Sequence, residues 1–293
     1  MPTANSKLEL LSQYACAGGS QSFYSHPSET IGLPMRFGVF LPPTAGPGNA
    51  VPAILYLAGL TCNEETFFIK AGAQQFAAQH GVALISPDTS PRGANFPGEA
   101  TDWDFGVGAG FYLDATQAPW AKHWQMESYL TKELVPLLGA HLPIDASRLG
   151  TMGHSMGGHG ALTLAYRNPG LFKSLSALAP ICAPSLCPWG EKAFTGYLGD
   201  DRALWAEHDA CQLILQRHHR GEDVLYPQGI LIDQGGGDRF LDVQLHPDKL
   251  EQACHISQQP LQVRRHPDYD HGYYFIQSFM ADHVAFHAQK LRA

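Results

Sequence analysis

The chain has 293 residues, 44% of them hydrophobic, and sets 19 Lys and Arg against 27 Asp and Glu for a formal charge of −8. That balance excludes a disordered chain, and with no Lys or Arg run longer than two residues it offers no basic footprint for nucleic acid. No apolar stretch approaches the roughly 20 residues needed to cross a bilayer, so no membrane partner is expected.

Length alone admits one large domain or two small ones, and we expect a single domain over 1–293. The six cysteines, Cys16, Cys62, Cys182, Cys187, Cys211 and Cys254, contain no Cys-x-x-Cys pair. The first twenty residues lack a basic segment followed by a continuous apolar one. Free thiols in an intracellular chain are therefore expected, with no zinc or other metal site.

In chain order, residues 8–14 and 34–41 alternate well enough for two antiparallel strands, and 42–52 is a turn-rich loop. The short apolar run 53–57 reads as a buried strand, 67–80 as a helix and 82–86 as the next strand. Residues 87–119 form a loop too long for a mere connection. Its Trp103, Phe105, Phe111 and Tyr112 predict that it is ordered. Residues 124–142 carry apolar side chains at helical spacing. Strand 149–153, helix 156–167, strand 174–178, strand 230–233, strand 261–264 and helix 273–290 complete the series. Strands alternating with helices predict an α/β fold, with a mostly parallel sheet covered on both faces. Function then belongs in loops at the carboxyl ends of the strands.

One such loop carries Gly153-His154-Ser155-Met156-Gly157. The G-x-S-x-G pattern after a strand and before a helix is a nucleophile elbow, which lifts a serine hydroxyl clear of the backbone. Ser155 is the expected nucleophile. The helix that follows aims unpaired N–H groups at negative charge, so the Met156 N–H is one expected oxyanion donor. The loop after strand 53–57 supplies the other, the Leu60 N–H, with Gly59 permitting the turn. Cys62 lies close by, as a pocket wall, a redox-sensitive thiol or an inert buried one.

The order Ser, acid, His of this class places the base after the last strand. His271 is favoured over His266, and His283 and His287 are expected on the surface of the closing helix. The acid follows strand 230–233, where Asp238 behind three glycines is favoured over Asp233 and Asp242. His208, His218 and His219 show no ligand spacing.

The chain resembles the S-formylglutathione hydrolase (esterase D) family. The resemblance rests on LAGLTC at 57–62, SPDTSPRG at 86–93, WDFGVGAGFYLDATQAPW at 103–120, GHSMGGHGAL at 153–162, PWGEKAFTGYLG at 188–199, DQGGGDRF at 233–240 and DHGYYF at 270–275. It implies the α/β-hydrolase fold, hydrolysis of S-formylglutathione in formaldehyde detoxification, a cytoplasmic homodimer, and no metal or organic cofactor. It also implies a triad of Ser155, Asp238 and His271, oxyanion donors Leu60 and Met156, and Cys62 and Trp189 near the acyl pocket. Gly272 and Ala58 depart from the family's common serines. Lys70, Arg92 and Lys192 are open as partners for the glutathione carboxylates. The alternatives are a general short-chain carboxylesterase or acyltransferase on the same scaffold, or a binding protein that has kept the fold.

Overall fold

The computed structural model describes residues 8–292. Part of the N-terminal stretch read for a leader, residues 1–7, lies outside them. The strands are β1 Glu9–Cys16, β2 Gly19–Pro27, β3 Pro34–Leu41, β4 Val51–Leu57, β5 Ala83–Pro87, β6 Ile144–His154, β7 Ser174–Leu178, β8 Ile230–Gly235 and β9 Leu261–His266. Among the described residues they form one sheet in the order β1-β2-β3-β5-β4-β6-β7-β8-β9. Pairings from β1 to β5 along that order are antiparallel, and those from β5 to β9 are parallel.

Burial follows from this order. Every residue of β4, β5, β7 and β8 is buried, as parallel strands with helices on both faces must be. The edge strands β1 and β9 are mostly exposed or half-buried. β2 escaped the sequence reading because GSQSFYSHP has little apolar alternation. It is held by antiparallel pairing with β1, broken by an irregularity between Leu10 and Ser12, and by an unbroken register with β3.

The expected helix over 67–80 is two helices, Thr66–Lys70 and Gln74–His80. Gly72, in the left-handed region with φ +62°, separates them. The 124–142 segment is helical from Met126 to His141, with a wider π turn at Tyr129–Leu134 before Pro136. Helices Pro188–Leu198 and Pro247–Ser257, each with proline in its first turn, were not read from the sequence.

The long loop is ordered by its aromatic residues. Phe105 stacks on Tyr197 at 4.5 Å and Trp120 meets Trp124 edge-on at 4.7 Å. The Tyr197 hydroxyl accepts the Gly106 N–H and donates to the Ala109 carbonyl. Helix Met156–Arg167, buried at every residue except its last, lies close to its neighbours. A Cβ at Gly160 would strike the Tyr112 ring, and one at Gly158 would strike Pro180. The glycines of the elbow helix thus set how near it approaches the loop.

Candidate active site

β6 ends at His154, and Ser155 follows with φ 58° and ψ −118°, a conformation that costs a non-glycine residue of order 1–3 kcal/mol. The turn around it has no room for side chains. A Cβ at Gly153 would collide with the Gly157 carbonyl, and one at Gly157 with the Leu57 carbonyl. The main chain holds the strained residue from both sides. Ser155 N–H donates to the Leu178 carbonyl, and the Ser155 carbonyl accepts from His159 and Ile181.

His271, just before helix Tyr273–Lys290, brings its Nε2 to 2.9 Å from Ser155 Oγ. Its Nδ1 is 2.5 Å from Asp238 Oδ2. The Asp238 carboxylate is fully buried and also accepts the Phe240 N–H at 2.8 Å. The glycines before it are demanded by close approach. A Cβ at Gly235 would meet the Tyr269 carbonyl, and one at Gly236 the backbone of Pro267. The β8 loop can therefore press against the loop that carries His271.

The other residues expected as possible acid or base, Asp233, Asp242 and His266, lie outside this Ser155–His271–Asp238 chain of contacts. Asp233, also fully buried, is gripped by Arg264 through Nε at 2.6 Å and Nη2 at 2.5 Å, and contacts His266 and His283. Burial alone would raise its pKa. Hydrogen bonds from His283 and Arg264 outweigh it and hold the carboxyl well below the usual range. His266 is stacked on Phe279 at 3.7 Å, and Asp242 is exposed.

His283 and His287 are not surface residues: both are completely buried. His283 Nδ1 meets Ser176 Oγ at 2.8 Å, and His287 bridges Ser174 at 2.6 Å and Ser176 at 2.8 Å. Strand serines satisfy the helix histidines, which is why polar residues can sit on an inward face.

The loop 58–62 lies against the elbow. A Cβ at Gly59 would stand 3.2 Å from Ser155 Cβ. Thr61 N–H donates to Gly108 and Cys62 N–H to Gly59. No main-chain acceptor takes the Leu60 N–H or the Met156 N–H among the described residues. The Tyr112 hydroxyl donates to the Ala58 carbonyl at 2.7 Å and fixes this loop from below. Cys62 is half-buried beside the Tyr273 hydroxyl at 3.9 Å. Burial pushes its thiol pKa up against the opposing hydrogen bond from Tyr273, so it lacks the depressed pKa of a reactive thiolate.

Trp189 is buried, with Trp103 edge-on at 5.7 Å and Phe240 at 4.7 Å. Phe240 in turn meets the His271 ring at 5.0 Å. This aromatic wall reaches the His271 ring, and Phe240 is its missed member, although it closes the DQGGGDRF segment. His154, also missed, packs 4.5 Å from His271 with neither ring nitrogen partnered. Burial holds its pKa well below the ordinary value, so it adds no cation beside His271.

Of the three open cations, Lys192 is paired with Asp102 at 2.9 Å and with Asp104, and Arg92 with Asp88 at 2.6 Å. Lys70 is exposed, 5.5 Å over the Tyr273 ring. Among the described residues no group of three or more His, Cys, Asp or Glu is arranged to hold a metal. None of their helices is long and apolar enough to cross a membrane. All six cysteines are unpaired.

Sheet order, strand-to-helix elbow and loop placement are those of an α/β-hydrolase. Residues 28–286 match the family described as "Putative esterase". The chain is 48% identical to the S-formylglutathione hydrolase of Mus musculus over 98% of this chain and 99% of that one. It is 50% identical to that of Arabidopsis thaliana over 93% and 94%. The S-formylglutathione hydrolase structure from Agrobacterium tumefaciens superposes with a TM-score of 0.91 at 47% identity, covering 97% of this chain and 99% of that one. The chain belongs to the S-formylglutathione hydrolase family of serine esterases.

Proposed function

We propose that the chain is a cytoplasmic, cofactor-free thioesterase that cleaves S-formylglutathione to formate and glutathione in formaldehyde detoxification. It would act as one α/β-hydrolase domain over 1–293. The observation that carries the mechanism is the pair of contacts made by His271, to Ser155 Oγ on one side and to Asp238 on the other.

In this reading Ser155 Oγ attacks the formyl carbonyl as His271 Nε2 takes its proton. Asp238 orients the imidazole and stabilises the imidazolium. The Leu60 and Met156 N–H groups receive the oxyanion, and glutathione leaves with the proton from His271. Water then attacks the formyl ester through the same base, releasing formate and free Ser155. Cys62 and Trp189 stand near the acyl pocket, and the Trp189–Phe240 wall beside His271 limits the acyl group. Pocket size discriminates by only about 1–3 kcal/mol per methylene, so short-chain esters should also react.

Comparing kcat/KM on S-formylglutathione and on 4-nitrophenyl acetate tests the substrate, with Ser155→Ala as the inactive control. The thioester should be the better substrate. An equal or better acetate rate would make the chain a general carboxylesterase. An acyltransferase would instead form ester from an added alcohol in preference to formate. The homodimer rests on the family resemblance, and light scattering of the purified chain should give twice 31.9 kDa.

The support under the Leu60 loop can be tested separately. Tyr112→Phe leaves the Ala58 carbonyl without its donor inside the protein. An unmet buried group costs about 1–3 kcal/mol. We expect a lower melting temperature and a kcat reduced roughly tenfold, within the range that oxyanion-hole damage produces. Unchanged kcat would mean that the loop holds its position without Tyr112.

A further inference from the structure

A polar cavity of about 430 Å³ opens beside the site and takes no part in the chemistry above. Arg36, Glu64, Asp88 and Arg92 line it. All four come from the carboxyl end of the parallel sheet. Glu64 follows β4, and Asp88 and Arg92 follow β5. Arg36 lies just outside the Phe37–Pro87 pair, where antiparallel β3 meets the end of β5. The cavity therefore shares the face that carries Ser155.

Its charges are unevenly satisfied. Asp88 is occupied by a two-pronged bond from Arg92, and Arg92 Nη2 also donates to the Cys62 carbonyl at 3.2 Å. Arg92 Nη1 makes no protein hydrogen bond among the described residues. The Glu64 side chain is 5% exposed, its carboxylate accepts only its own main-chain N–H and no side-chain donor, and its nearest cation is Arg36 Nη1 at 4.0 Å. Burial and the neighbouring Asp88 raise its pKa, as expected of a carboxylate short of positive partners. The Arg36 side chain is 59% exposed with its guanidinium fork open. The lining thus presents one under-partnered anion and two cations with free donors.

We propose that this cavity receives the zwitterionic α-amino-acid end of the glutathione leaving group, its ammonium on Glu64 and its carboxylate on Arg36 and Arg92. The proposal rests on the thioesterase reading. Reach is adequate. Glu64 is four residues from Leu60, so their Cα atoms are at most about 14 Å apart. Seven bonds separate the glutathione sulfur from its γ-glutamyl Cα, an extended span of roughly 8–9 Å by ordinary bond lengths, and the Glu64 side chain closes part of the gap.

The test uses Glu64→Gln and Arg36→Gln, the second at an exposed position where folding is not at stake. The first readout is kcat/KM on S-formylglutathione divided by that on 4-nitrophenyl acetate. The ratio should fall roughly 10- to 100-fold in Glu64→Gln, as for loss of one member of a buried charge pair, and by about 3- to 10-fold in the exposed Arg36→Gln, mostly through KM. The second readout is competitive inhibition of acetate hydrolysis by S-methylglutathione, whose Ki should rise by the same factor. N-acetylated S-formylglutathione, which lacks the ammonium, should separate wild type from Arg36→Gln but not from Glu64→Gln. A wild type that prefers the acetate sinks the thioesterase reading. A wild type that prefers the thioester, with variants unchanged in ratio and Ki, sinks the subsite alone.

Discussion

Asp238→Asn should lower kcat by roughly 10⁴, the loss seen when a protease triad loses its acid and the imidazole takes the wrong tautomer. The asparagine amide can still accept the Phe240 N–H, so the loop should survive and the melting temperature should move little. Asp233→Asn, five residues earlier, should do the opposite. It would strip the carboxylate from Arg264 and His283 in a fully buried position. Removing one partner of a buried ion pair costs about 3–5 kcal/mol. A chain of this size loses roughly 2–4 °C per kcal/mol, so a fall in melting temperature of about 10 °C is expected, with kcat per folded molecule kept. Steady-state kinetics beside thermal scans on both variants separates the roles. A catalytic collapse in Asp233→Asn with normal Asp238→Asn kinetics would exchange the two assignments.

Stability should fall steeply below pH 6.5. Five buried histidines, His26 among them, have their pKa lowered chiefly by burial, four of them strongly. His159 is brought down to about 4 and His208 to about 3, and His154 and His287 lie well below the ordinary 6.5. Between those values and 6.5 the unfolded chain binds more protons than the folded one. Stability is therefore present above about 6.5 and is lost as pH falls. One such histidine contributes about 2 kcal/mol of loss between pH 7 and pH 5. Four together approach the whole stability of an ordinary domain, about 5–15 kcal/mol. Glu64 and Asp209, whose pKa values are raised, act in the opposite sense but are outnumbered. Asp233, held low, adds its own loss only below about pH 4. Calorimetry across pH 5–7 should show the melting temperature dropping by 10 °C or more, and His159→Gln should flatten the profile. A melting temperature constant over that range would mean that these rings take up protons without unfolding.

The two predictions also mark where the sequence was readable. That Ser155, Asp238 and His271 meet, as they do in the structure, could be expected because each sits in a loop after an identifiable strand, in a fixed chain order. Helices 156–167 and 273–290 agree with their expected limits. The misreading of His283 and His287 has a physical source. A helix periodicity sorts apolar from polar, but whether a polar residue faces inward depends on partners elsewhere. Here those partners are Ser174, Ser176 and Asp233, more than fifty residues away in two of the three cases. Glu64 was passed over for the same reason. Its shortage of side-chain donors is a property of three chain segments brought together, and none of them shows it alone.

The crowding at the elbow constrains how this site can change. Gly153 and Gly157 touch carbonyls that belong to the sheet and to the next helical turn, so neither tolerates even a methyl group. Ser155 keeps its left-handed backbone because three main-chain bonds hold it there. Selection or engineering therefore has almost no latitude at the centre. Its freedom lies at the rim, where Trp103 is more than half exposed and Arg36 reaches into solvent. New substrates would be acquired by redrawing that border around an unaltered Ser155 turn.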